Sequence, residues 1–145
     1  MNGQPYRKDS MRFRFAAALL CAAALATISC GGVVDPSKNV TETFSGTLEP
    51  YPSGNSIQVF TFSTSKSGEY SIKITALAPN TNVFLTMTYG LVQSGSCGPI
   101  QQNPFSALNT TSLSGAITPG TWCVAIQDPG VLTANETFTF TVAHP

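Results

Sequence analysis

The chain has 145 residues, with seven basic and seven acidic side chains and a formal net charge of zero, a length that holds one domain with a self-sufficient core. Only 10% of residues are charged, and Thr, Ser, Gly and Pro separate short apolar runs, the composition of an all-β extracellular module. From Cys30 onward three lysines (Lys38, Lys66, Lys73) stand against six carboxylates (Asp35, Glu42, Glu49, Glu69, Asp128, Glu136), a net of −3, so no basic patch remains to neutralise phosphates, which argues against nucleic acid as a partner.

Residues 1–29 read as a helical signal peptide. Arg12 and Arg14 follow Met11, the expected initiator, and precede an apolar segment of about fourteen residues ending at Ser29. That segment is short of the roughly 20 apolar residues that span a bilayer. Its end, Thr27-Ile28-Ser29-Cys30-Gly31-Gly32, resembles the lipobox of bacterial lipoproteins, in which a Cys after a small residue becomes the lipidated first residue. The resemblance implies lipid on Cys30, membrane anchoring at an outer membrane or cell surface, and a flexible tether over residues 30–39. Ordinary cleavage within residues 24–29 is the alternative and would leave a soluble protein with a free thiol at Cys30. Cysteine arithmetic favours the lipid: Cys21 leaves with the leader, and the three that remain divide into one modified terminus and one pair.

Residues 40–145 are expected to form one β-sandwich. Residues 40–48 read as an edge strand, and Glu49-Pro50-Tyr51-Pro52-Ser53-Gly54-Asn55 as a turn. Residues 57–64 place Phe60 and Phe62 on one face and Ile57 and Val59 on the other, as in a strand covered on both sides. Residues 69–77 have the cleanest period of two, with Tyr70, Ile72, Ile74 and Ala76 inward. Residues 82–89 alternate Val83, Leu85, Met87 and Tyr89 with Phe84, Thr86 and Thr88. From 90 to 111 the periodicity lapses, and Gly, Ser, Gln, Asn and Pro mark a long loop containing Cys97, Pro99 and Pro104. Residues 112–118 form a weak strand, 121–127 a central one with Trp122 and Cys123, and 136–142 a last one with Phe138, Phe140 and Val142 alternating against threonines. Seven to eight short strands with no helical period define an antiparallel sandwich, Ig-like or jelly-roll.

The runs Phe44-Ser45-Gly46-Thr47-Leu48, Val59-Phe60-Thr61-Phe62, Gly68-Glu69-Tyr70-Ser71-Ile72, Thr75-Ala76-Leu77, Pro119-Gly120-Thr121-Trp122-Cys123-Val124 and Phe138-Thr139-Phe140-Thr141-Val142 together resemble the bacterial pre-peptidase C-terminal domain and related jelly-roll modules. The resemblance covers about residues 40–143 and implies an accessory module of the kind attached to secreted hydrolases, similar to carbohydrate- or matrix-binding units. Some such modules bind calcium, but the chain has no dense Asp and Asn loop for it, and neither a metal nor another cofactor is expected.

In an exported domain Cys97 and Cys123 are expected to pair. With Trp122, Val124 and Ile126 facing the core, Cys123 faces outward, and the bridge pins the long loop to the outer surface of its strand. His144, the only His, reads as part of a frayed terminus. The acids are scattered singly and no nucleophile motif accompanies the serines, so a catalytic constellation is not expected. Tyr51, Tyr89 and Phe105 lie on or beside loops, where aromatic faces could stack on sugar rings or else pack beneath Pro-rich segments. The expected function is that of a lipid-anchored, non-catalytic binding or accessory module of the bacterial envelope, for a glycan or a protein, with a structural subunit of an envelope assembly as the alternative.

Overall fold

The computed structural model describes residues 38–145; the expected signal peptide, Cys30 and the expected tether through residue 37 lie outside them. Eight strands form in chain order: β1 (Val40–Leu48), β2 (Ile57–Thr64), β3 (Gly68–Ala78), β4 (Leu85–Gln93), β5 (Ser96–Ser106), β6 (Thr111–Ile117), β7 (Gly120–Gln127) and β8 (Glu136–His144). They make two antiparallel four-stranded sheets, β1-β8-β3-β6 and β2-β7-β4-β5. Every connection except β4 to β5 passes from one sheet to the other. The sandwich is therefore a jelly roll, two interlocked Greek keys, and the Ig-like option falls away.

Alternation does most of the folding work. In β8, Phe138, Phe140 and Val142 are buried while the threonines between them are not, and the same period buries Tyr70, Ile72 and Ile74 of β3. These side chains meet Leu85, Met87, Val124 and Ile126 of the opposite sheet in one core. Phe44, Phe60, Phe138 and Phe140 interlock across the layers with ring centroids 5.1 to 6.2 Å apart, within the range where aromatic pairs add to simple burial. A second aromatic group stacks Tyr70 on Tyr89 at 4.1 Å and Tyr89 on Trp122 at 5.3 Å. Burial pushes the Tyr70 phenol up to about 12 and raises the Tyr89 phenol further, with the charge of an ionised Tyr70 adding to the desolvation.

The backbone and core depart from the sequence reading at several points. The β3–β8 register shifts between Ile74 and Ala76, so Leu77 takes the inward position and Ala76 is exposed; such an irregularity breaks a period of two. The outer face of β2 is not covered: Ile57 and Val59 are exposed. Residues 90–111 are not a long loop. Strand β4 runs on to Gln93, turns through Ser94 (φ 46°) and Gly95 (φ 84°), and returns as β5. Positive φ at both central residues is the type I′ geometry that suits the twist of a two-residue hairpin. Pro99 and Pro104 are tolerated because β5 is an edge strand. Finally, His144 is not frayed: it is buried, contacts Glu42 through Nε2 at 2.8 Å and lies with its ring 5.0 Å from that of Phe62.

One carboxylate ties together two of the loops at an end of the sandwich. Asp128 follows β7 and is 1% exposed. Its Oδ1 accepts the backbone N–H groups of Gly130, Val131 and Leu132 at 2.8 to 3.2 Å, and its Oδ2 accepts that of Tyr51 at 2.9 Å. Burial works to raise its pKa, yet the four donors outweigh burial and hold the carboxyl below its ordinary value of 3.8. A depressed folded-state pKa means that this stabilisation is complete above the ordinary carboxylate value and is lost as pH falls through the folded-state value. In Asp128→Asn one oxygen becomes an NH₂ donor, which leaves at least one of the two loops without its acceptor. The variant is expected to lose about 2 kcal/mol at neutral pH and to show a flatter loss of stability below pH 4, both measurable by urea unfolding across pH.

Candidate binding site

The β4–β5 hairpin curls over the outer face of its own sheet. Cys97 on β5 and Cys123 on β7 flank β4, which in a flat sheet would place their Cα atoms two strand spacings apart, roughly 9.5 Å. They are 5.7 Å apart and joined by a disulfide. The closure occurs over Gly90, which is paired with both Cys123 and Pro99 and lies beside a register shift at Tyr89 and Gly90. A Cβ on Gly90 would fall on the backbone carbonyl of Gly98. Only a glycine lets the two backbones approach this closely. The bridge thus pins a hairpin rather than a loop, on the outer side of β7 opposite the core residues Val124 and Ile126.

The curl makes a groove. Outward positions on neighbouring strands form the row Val59, Ala125, Thr88, Gln102, each paired with the next. Small side chains at Ala125 and Thr88 lower the floor, and both are shielded from solvent although they point away from the core. The hairpin end, with Ser96, Cys97 and Pro99, stands on one side and Ile57 with Val59 on the other. The groove has a volume of about 630 Å³ and no charged side chain among its lining residues, a size in the range of small-ligand sites. Gln102 donates an amide hydrogen to Thr88 Oγ1 at 3.2 Å, which holds its carboxamide plane along the wall.

The three loop aromatics separate. Tyr89 is a core residue, buried between Tyr70 and Trp122, and is withdrawn as a binding residue because its inward phase on β4 continues that of Leu85 and Met87. Tyr51 and Phe105 are 63% and 73% exposed. The strand directions bring both to one end of the sandwich, opposite the end where Val40 pairs with His144. Phe84, 49% exposed, joins them there with its ring 6.4 Å from that of Phe105, edge to face. In the sequence Phe84 alternates with Val83 and Leu85 as part of a strand over residues 82–89. Its place before Leu85, the first residue of β4, puts it on a loop instead.

Strand order and hairpin curl define the chain as a jelly-roll module carrying a surface groove. Its fold is similar to that of the solved pre-peptidase C-terminal domain of a collagenase from Bacillus anthracis, with a TM-score of 0.51, 14% identity, and coverage of 71% of this chain and 89% of that one. The likeness establishes a pre-peptidase C-terminal-like fold. No family model and no curated protein matches the chain.

Two substitutions separate the parts of the curl. The bridge closes a sequence separation of 26 residues, worth about 3.5 kcal/mol in the chain-entropy account; Cys97→Ser is expected to lose stability of that order and to release a thiol titratable at Cys123 on unfolding. Gly90→Ala keeps both cysteines but sets a methyl group against the Gly98 carbonyl. It is expected to lower the thermal midpoint markedly, whereas Gly54→Ala, whose added carbon meets nothing within 4 Å, leaves stability within about 0.5 kcal/mol.

Proposed function

We propose that the chain is a lipid-anchored, non-catalytic binding or accessory module of the bacterial cell envelope, held on an outer membrane or cell surface through Cys30, and that it takes a glycan or protein ligand in the groove of the β2-β7-β4-β5 sheet. The observation that carries the reading is the groove itself: a concavity of about 630 Å³ whose wall is held by a covalent bridge, so that little ordering remains to be done on binding. Its lining offers amides, hydroxyls and aliphatic surface, groups suited to recognition, with no acid, base or thiolate to move a proton or attack a bond. The leader and the Cys30 context support export and anchoring.

A structural subunit of an envelope assembly is the second reading. It is favoured by the opposite feature of the surface, the end bearing Tyr51, Phe84 and Phe105 together with exposed Val131, three of them on different inter-strand connections and Phe105 near the end of β5. Exposed apolar residues gathered at one place mark contact surfaces more often than isolated ones do.

The anchoring part is tested by membrane fractionation of cells producing the wild type and Cys30→Ala. The wild type is expected in the membrane fraction and released only by detergent, with Cys30→Ala soluble. Equal solubility of the two would contradict the lipid anchor. The binding part is tested by the ligand experiment below.

A further inference from the structure

Resting on the binding reading above, we propose that the groove is a site for a neutral oligosaccharide of a few sugar units, rather than for a charged ligand or an extended peptide. The argument begins with what a sheet face can offer. Backbone N–H and C=O groups of β7 and β4 are consumed in ladders on both sides, because each has a neighbouring strand on either edge. A peptide that docks by strand addition needs a free edge, with its row of unpaired donors and acceptors. The central strands under this groove, β7 and β4, supply none, so recognition over them falls to side chains.

The side chains are carboxamides and hydroxyls: Gln102, Gln127, Thr88 and Ser96. A carboxamide presents an acceptor and two donors in one plane, and a hydroxyl both donates and accepts. That set matches neighbouring hydroxyls on a sugar ring, each of which also donates and accepts. The Gln102 amide is already oriented by its bond to Thr88 Oγ1, so it meets a ligand at low conformational cost. Between these polar groups lie the aliphatic side chains of Ile57, Val59 and Pro99, surface on which the apolar C–H face of a pyranose ring can be buried.

Charge narrows the class. Among the described residues no Asp, Glu, Lys, Arg or His lines the groove, so a sulfated, phosphorylated or uronic-acid ligand would be desolvated there without a counter-charge. Size narrows it again, since about 630 Å³ is a volume for a small oligomer and not for a single compact ion. The small residues of the floor set the depth. Ala125 is the key position: paired with Val59 and Thr88, it faces away from the core, so a larger side chain there fills the groove without disturbing the interior.

The test is calorimetric titration of the full exported chain, kept in a sugar-free detergent, with four neutral tetrasaccharides (cellotetraose, maltotetraose, mannotetraose and the tetramer of N-acetylglucosamine) and a heparin-derived tetrasaccharide as the charged control. At least one neutral tetrasaccharide is expected to bind, weakened tenfold or more by Ala125→Leu and by Gln102→Ala, while the charged one does not. Gln102→Ala changes an exposed edge-strand residue and keeps the test valid should Ala125→Leu fail to fold, which a thermal melt reports. An array of uncharged decapeptides forms the parallel arm. Peptide binding that is sensitive to Ala125→Leu, with no sugar bound, overturns the oligosaccharide assignment but leaves the groove a binding site. Sugar binding that is lost in Phe105→Ala and unchanged in Ala125→Leu overturns it by moving the site to the aromatic end. No binding in either arm overturns both this inference and the binding function.

Discussion

The contact of Gly90 with Gly98, closed by the Cys97–Cys123 bridge, is the constraint on which the functional surface depends. Without a side chain at Gly90 the backbone of β5 can lie close over the outer face of β4, and the bridge then joins cysteines on strands that are not neighbours in the sheet. Two consequences follow. Strand β7 is buried on both faces from Cys123 to Ile126, where an outer sheet face ordinarily meets water. The hairpin end also becomes a wall, so a flat row of small side chains becomes the floor of a groove. The jelly roll provides the scaffold, and the only within-sheet connection among the described residues, β4 to β5, provides the variation.

Much of the scaffold was legible in the sequence because six of the eight strands carry a plain period of two or a turn pair at their ends. Strands such as β8, with Thr and Phe in turn, leave no freedom about which face is buried. Strand β5 was not legible. As an edge strand it needs no apolar alternation, and two prolines with five amide or hydroxyl side chains gave it the look of a loop. The signal that would have found it was small: Ser94-Gly95 between two β-capable runs, the dipeptide of a tight hairpin. The same error moved Tyr89 from the core to a supposed loop, although its phase with Leu85 and Met87 already placed it inward.

The groove was illegible for a different reason. Val59, Ala125, Thr88 and Gln102 come from four strands and meet only through register, which a single sequence does not disclose. Asp128 and His144 belong with it. Each reads as an isolated polar residue, at a turn and near a terminus, and each is buried with one partner supplied by a distant segment, Tyr51 for the one and Glu42 for the other. The cysteine pair was the exception, because an expectation of export and of three cysteines after the leader implies a bridge before any strand is paired.

The central claim is that the disulfide holds the hairpin down and so preforms the groove, while the rest of the sandwich stands without it. Amide hydrogen exchange on the oxidised protein and on the Cys97→Ser, Cys123→Ser double variant tests this most directly. The account predicts that in the double variant protection falls farther from Leu91 to Gln102, around the pinned end of the hairpin, than in β3 and β8, whose amides fall by no more than the global loss of stability. Unchanged protection throughout the hairpin, or a fall there no greater than that in β3 and β8, would contradict it.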